Sequence, residues 1–209
     1  MRKLPLIMID PGHGGTDPGA TPESPIEAGI NLAVALHLRD ILENQGFAVI
    51  VTRLVDRTLS LDERVMLEHQ FDSDLFISLH CNAAADPRAK GIEIWTAPGD
   101  SPADPAATEI FRAVSKAFPD RRLRTDYTDS DLDKEARFRV LTGTLGPAVL
   151  LEMGFVSNAE ERAWLQSTAT QVHMALAIAA GILAWHRTLK DQAHARIDDI
   201  RKSHPGAAC

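Results

Sequence analysis

Two histidines and two glutamates stand where reacting groups collect in an α/β chain. His13 lies in a glycine-rich loop, after an apolar run of Leu4, Leu6, Ile7, Met8 and Ile9 that Asp10 and Pro11 bring to a stop. His80 stands near the end of the apolar segment Leu75–Asn82, Glu152 at the end of Ala148–Met153, and Glu27 in the first turn of a helix. Ligands of open α/β sheets gather beyond the carboxyl ends of the strands, so these four groups are expected to converge. Two imidazoles and a carboxylate can hold a catalytic Zn²⁺ and leave a fourth position for water. The remaining carboxylate can then work on that water.

Each residue also has an ordinary reading. Glu27 follows Ser24 by three positions, which is the spacing of a capping box. Glu152 could be a salt-bridge partner, although a carboxylate within PAVLLEMGF calls for a partner or a metal once buried. The glycine loop could cradle phosphate, yet it lacks both a G-x-G-x-x-G opening into a helix and a terminal G-K-[ST]. Glu27 and Glu152 could serve as the acid and base of a glycosidase, which would leave the histidines without a role. Period-two alternation puts Ser78, His80 and Asn82 on one strand face and Leu75, Ile77, Leu79 and Cys81 on the other, so Cys81 reads as core.

The elements that must position these groups alternate in type. After the first strand, a helix capped by Ser24 carries Ile30, Ala33, Val34, Leu38, Ile41 and Leu42 on its buried stripe and ends at Gly46. A strand at Ala48–Thr52 follows, then a helix at Ser60–Phe71 with Ser60 and Glu63 in capping-box spacing. Gly91–Thr96 reads as a strand and Pro105–Phe118 as a helix. The charge-dense Pro119–Ala136 reads as a rim loop, and Phe138–Leu141 as a return to the core. Ser157-Asn158-Ala159-Glu160 starts a short helix, and a longer one runs to near Trp185. This is a single α/β domain with a twisted, mostly parallel or mixed sheet of about six strands flanked by helices. It is expected to span residues 1–189, with 190–209 a polar tail.

Composition narrows the function classes. The 209 residues are 44% apolar, enough for one full core, and the formal charge of -7 comes without a basic cluster, which disfavours nucleic acid as a partner. Two cysteines make neither a disulfide framework nor a zinc cluster. Met1-Arg2-Lys3 resembles the start of a signal peptide, but the apolar run behind it stops at Ile9, so no leader is read here. No stretch approaches the roughly 20 apolar residues that cross a bilayer, Met174–Trp185 included, and membrane insertion is not expected. A substrate outside the cytoplasm would then call for unconventional export, lysis, or a leader absent from this chain.

The ordered blocks IDPGHGG, Glu27, SLHCNA, GIE and VLLEMGFVSNAEE resemble the zinc-dependent N-acetylmuramoyl-L-alanine amidases of the Amidase_3 family, which includes cell-separation enzymes and phage or spore lysins. The resemblance runs from Leu6 to about Trp185. It implies His13, Glu27 and His80 as zinc ligands, Glu152 as the catalytic carboxylate, and a peptidoglycan substrate cut between N-acetylmuramic acid and L-alanine. It suggests Asn82 and Glu93 as supports beside His80, and Arg137 as a contact for a substrate carboxylate. Arg53 and Arg64 are expected to hold loops through carboxylate pairs, and Asn158 and Glu160 to shape a turn. Cys81 stands where the family more usually has a small residue. The regulated relatives carry an extra helix that plugs the site, and the interval from Asn82 to Lys134 leaves no evident room for one. A peptidoglycan-binding protein without activity is the alternative within the same fold.

Overall fold

The computed structural model describes residues 4–20, 26–128 and 131–203, with side chains through residue 196. The chain runs β1 (Leu6–Pro11), α1 (Ile26–Asn44), β2 (Ala48–Val51), α2 (Leu61–Phe71), β3 (Leu75–Asn82), β4 (Glu93–Thr96), α3 (Asp104–Ala117), β5 (Lys134–Glu135), α4 (Arg139–Thr142), β6 (Ala148–Phe155), α5 (Ala159–Gln166) and α6 (Thr168–Ser203). The strands form one sheet in the order β2-β1-β3-β6-β4-β5. β1 pairs in parallel with β2 and β3, and β3 with β6; β4 is antiparallel to β6, and β5 parallel to β4. The sheet is therefore mixed.

Apolar strands need cover on both faces, and the helices supply it unequally. On one face Ile7, Ile9, Ile77, Leu79, Val149 and Leu151 pack with Val34, Leu38 and Leu42 of α1, Ile110 and Phe111 of α3, and Ile178 and Ile182 of α6. On the other face a smaller cluster of Met8, Phe76, Val140, Leu141, Ala148 and Leu150 lies under α2 and α4. Leu38 and Leu42 are fully buried, and each contributes about 1.5–3 kcal/mol of hydrophobic stabilisation. Ala33 and Ile41, expected on that stripe, are only half-buried. α2 carries the capping box read from its sequence: Ser60 Oγ accepts the Glu63 N–H while the Glu63 carboxylate accepts the Ser60 N–H.

Several boundaries differ from the sequence reading. β6 does not end at Glu152 but continues to Phe155, because Phe155 still pairs with Asn82 across an irregularity in β3. The charge-dense segment is not all loop, since Lys134 and Glu135 add an edge strand beside Trp95 and Thr96. The last helix passes Trp185 and reaches Ser203, so most of the expected tail is helical. Within it, Thr168–Arg196 is long and apolar enough to cross a membrane by length and composition, contrary to the sequence reading. Met174, Ala175, Ile178, Ile182 and Trp185 of that helix are buried in the core with α1 and α3. The expected cap Ser24 lies outside the described residues.

Candidate metal centre and active site

The loop after β1 is built so that two ligands can come close. Gly12 is not in the left-handed region; its role is space, because a Cβ there would fall on the His80 imidazole, and one on Gly19 would fall on the Glu27 carboxylate. His13 itself has φ of 59°, a conformation that non-glycine residues adopt at a cost of about 1–3 kcal/mol. Buried arginines hold the loop there. Arg64 pairs with Asp10 at 2.5 Å and donates to the carbonyls of Pro11 and His13. Arg53 works differently from expectation: it grips carbonyls, those of Pro11, Gly12 and Ala28, rather than a carboxylate. Asp10 also accepts hydroxyl hydrogens from Thr52 and Ser78, which ties the loop base to β2 and β3.

His13, Glu27 and His80 meet at the end of this loop. Glu27 Oε1 lies 3.1 Å from His13 Nε2 and 3.2 Å from His80 Nδ1. Three ligands at about 2.0–2.1 Å around a tetrahedral ion stand about 3.3 Å apart, so Glu27 Oε1 already has that spacing to both imidazoles, and all three donor atoms lie within 4.8 Å of one another. Nitrogen and carboxylate donors suit zinc as well. Glu27 is 2% exposed and also accepts the N–H groups of Ala20 and Cys81. Burial would raise its pKa, but hydrogen bonds from His13 and His80 and their charge outweigh that and hold it well below the carboxylate range. Burial would likewise lower the His13 pKa, yet the bonds and charges of Glu27 and Asp17 lift it to about 9. Asp17 Oδ2 accepts from His13 Nδ1 at 2.8 Å, which turns Nε2 toward Glu27. A cleft of ≈ 240 Å³ lined by His13, Asp17, Thr58, Ser60, His80 and Val140 opens beside them.

Glu152 is the register partner of His80 on β3 and of Glu93 on β4. Its Oε2 is buried with no hydrogen-bond partner among the described residues. Burial, and then the charges of Glu27 and Glu93, push its pKa up to about 8 against the smaller opposing pull of His13. A buried acid beside a clustered ligand set fits a bound cation, which would favour the ionised form. Glu93, by contrast, is fully partnered, with Arg124, with Lys134 at 3.0 Å, and with Asn82 Nδ2 at 3.0 Å.

Comparison with known proteins agrees with the donor set. Residues 7–184 match the profile of the Amidase_3 family, described as N-acetylmuramoyl-L-alanine amidase. The chain belongs to that family. It is 29% identical to the N-acetylmuramoyl-L-alanine amidase AmiA of Salmonella typhimurium, over 90% of this chain and 78% of that protein. It is 36% identical to the amidase CwlM of Bacillus licheniformis over 78% of this chain and 61% of CwlM, so it spans about three fifths of that relative. Among solved structures, the amidase AmiC2 of Nostoc punctiforme superposes with a TM-score of 0.79 at 30% identity, covering 87% of this chain and 97% of that one.

In this Amidase_3 chain the structure brings together His13, Glu27, His80 and Glu152, with Asn82 and Glu93 beside them. Arg137 does not join the cluster; it is exposed just beyond β5. Asn158 caps α5 by accepting the N–H groups of Glu160 and Glu161, as expected, while Glu160 reaches Arg121 at 3.1 Å. Cys81 is core, as its alternation predicts, and its thiol faces Asn31 Oδ1. Sequence reasoning missed Asp17, Asn31 and Arg124. Asp17 carried a signal, a carboxylate four residues after a loop histidine. Asn31, whose Nδ2 donates to the Gly12 carbonyl at 3.3 Å, was hidden within an apolar helix face.

Proposed function

We propose that this chain hydrolyses the amide between the lactyl group of N-acetylmuramic acid and L-alanine in peptidoglycan, with His13, Glu27 and His80 holding Zn²⁺ and Glu152 carrying protons. The observation that supports this most is Glu152 Oε2, buried without a partner among the described residues, near a His13–Glu27–His80 cluster in which Glu27 Oε1 stands 3.1 and 3.2 Å from the two imidazoles. When bound, the ion supplies Lewis acidity to the scissile carbonyl and lowers the pKa of water. The residues divide the remaining work. Asp17 fixes the His13 ring, Glu27 anchors both rings through one oxygen, and Glu152 accepts the proton of the attacking water and passes it to the leaving amine. Arg137 is exposed and would meet a stem-peptide carboxylate. Residues 1–189 would form the catalytic unit and 190–209 an appendage without catalytic groups. The site of action is the cell wall.

A two-carboxylate glycosidase is poorly served by this geometry, because Glu27 is held as an anion between two imidazoles and cannot cycle as an acid. Digestion of purified peptidoglycan with and without chelator, followed by mass analysis, tests bond and metal together. The expected products are free stem peptides with new L-alanine amino termini and intact glycan strands, lost on chelation and restored by zinc. Shortened sugar chains that retain their peptides would sink the reading. Binding to the wall without either product would leave only a binding module.

A further inference from the structure

A second group of acidic residues lies away from the zinc ligands. Asp104 opens α3, and Asp131 and Asp133 lie just before β5; each brings a carboxylate oxygen within 4.8 Å of the other two. Asp133 is 1% exposed. Its Oδ2 accepts from Thr96 Oγ1 at 2.6 Å, whereas Oδ1 is buried with no hydrogen-bond partner among the described residues. Asp131 Oδ1 accepts the Asp133 N–H at 3.3 Å, and Asp104 Oδ2 accepts the Ser101 N–H at 2.9 Å. The adjacent cation, Lys134, turns away to Glu93.

A buried carboxylate oxygen without a donor, set against further carboxylates, needs a proton or a cation. Burial raises the Asp133 pKa most; the Thr96 bond opposes it, while the charges of Asp131 and Asp104 and the carboxyl–carboxyl contact with Asp131 add to it, and together they bring it to about 7. A proton therefore fills the gap only in part at neutral pH. The donor set is entirely oxygen, with no imidazole or thiolate, which selects a hard ion over zinc. Ca²⁺, at 2.3–2.6 Å from each ligand, joins oxygens up to about 5 Å apart and so fits the observed spread.

We propose that Asp104, Asp131 and Asp133 form a binding site for a hard divalent cation of calcium size, separate from the zinc cluster. The ion ties the start of α3 to the segment entering β5. Lys134 follows directly, so the ion also steadies the Lys134–Glu93 pair beside Glu152.

The test is titration of the full chain, saturated with zinc, with Ca²⁺ alone by calorimetry. One Ca²⁺ per chain is expected, with Kd at or below about 1 mM. Asp133→Asn and the less buried Asp131→Asn should each weaken it more than about tenfold, while zinc content stays unchanged. Ca²⁺ should raise the thermal midpoint of the wild type, but hardly that of either variant. Absence of uptake up to about 10 mM, beyond the weakest natural calcium modules, would overturn the proposal. Equal affinity in both variants would do the same. So would an Asp133→Asn protein more stable than a wild type indifferent to Ca²⁺, since the gap would then hold a shared proton.

Discussion

Glu27 and Glu152 are both glutamates in the same site, yet their surroundings push them in opposite directions. Glu27, between two imidazoles and two N–H donors, is an anion; Glu152, buried and facing carboxylates, keeps its proton until about pH 8 in the metal-free protein. Replacement by glutamine therefore separates them. Glu152→Gln removes the proton carrier but no ligand, so turnover should fall by about 10²–10⁴ with near-stoichiometric zinc retained. Substantial turnover by that variant, in a rate assay run beside metal analysis, would remove Glu152 from the central role. Glu27→Gln removes the negative charge that two neutral imidazoles cannot replace, so zinc affinity should fall by more than about tenfold. A zinc titration showing unchanged affinity would require another third ligand. The pairing of His13, His80 and Glu152 was legible in the residues because each ends an apolar run. Glu27 was ambiguous, since its spacing from Ser24 fits a cap equally well.

Among the elements, boundaries marked by local chemistry were readable and those set by distant pairing were not. The limits of β3 and the Ser60 capping box follow from short apolar runs and a serine–glutamate spacing, which act within a few residues. The end of β6 was misread because Gly154 looks like a stop, whereas pairing with β3 carries the strand through it to Phe155. α6 was cut short because its last turns are polar; a helix already formed needs no apolar stripe to continue and meets no proline or glycine there. The antiparallel placement of β4 depends on the sheet as a whole and left no trace in GIEIWT. The Asp10–Arg64 pair also spans elements, with both side chains almost fully buried, joining the end of β1 to α2. Asp10→Asn would leave the Arg64 charge uncompensated, at a cost of about 3–5 kcal/mol in urea unfolding of the metal-free protein. A loss below about 1 kcal/mol, the range of exposed pairs, would show that the carbonyls of Pro11 and His13 hold Arg64 unaided.

At the scale of the whole molecule, proton and metal binding at the centre set how folding depends on pH. In the metal-free protein His13 is raised from 6.5 to about 9. Its contribution to stability is fully present below 6.5 and is lost as pH rises through 9. Glu152, raised from 4.5 to about 8, acts in the same direction, because above 4.5 the unfolded chain releases a proton that the folded one keeps. Glu27, depressed, contributes above 4.5 and loses that contribution as acid is added. Metal-free stability should therefore decline from about pH 6 to pH 9. Zinc demands the opposite, since it needs His13 unprotonated and favours ionised Glu152. Its stabilising effect should widen over the same interval, and zinc uptake at pH 7 should release between about one and two protons. Calorimetry of zinc binding in buffers of different ionisation enthalpy counts those protons, and urea unfolding at several pH values with chelator gives the slope. Zinc uptake without proton release at pH 7 would show that His13 is already neutral there, and would remove the charged His13–Glu27 pair from the account of the metal-free state.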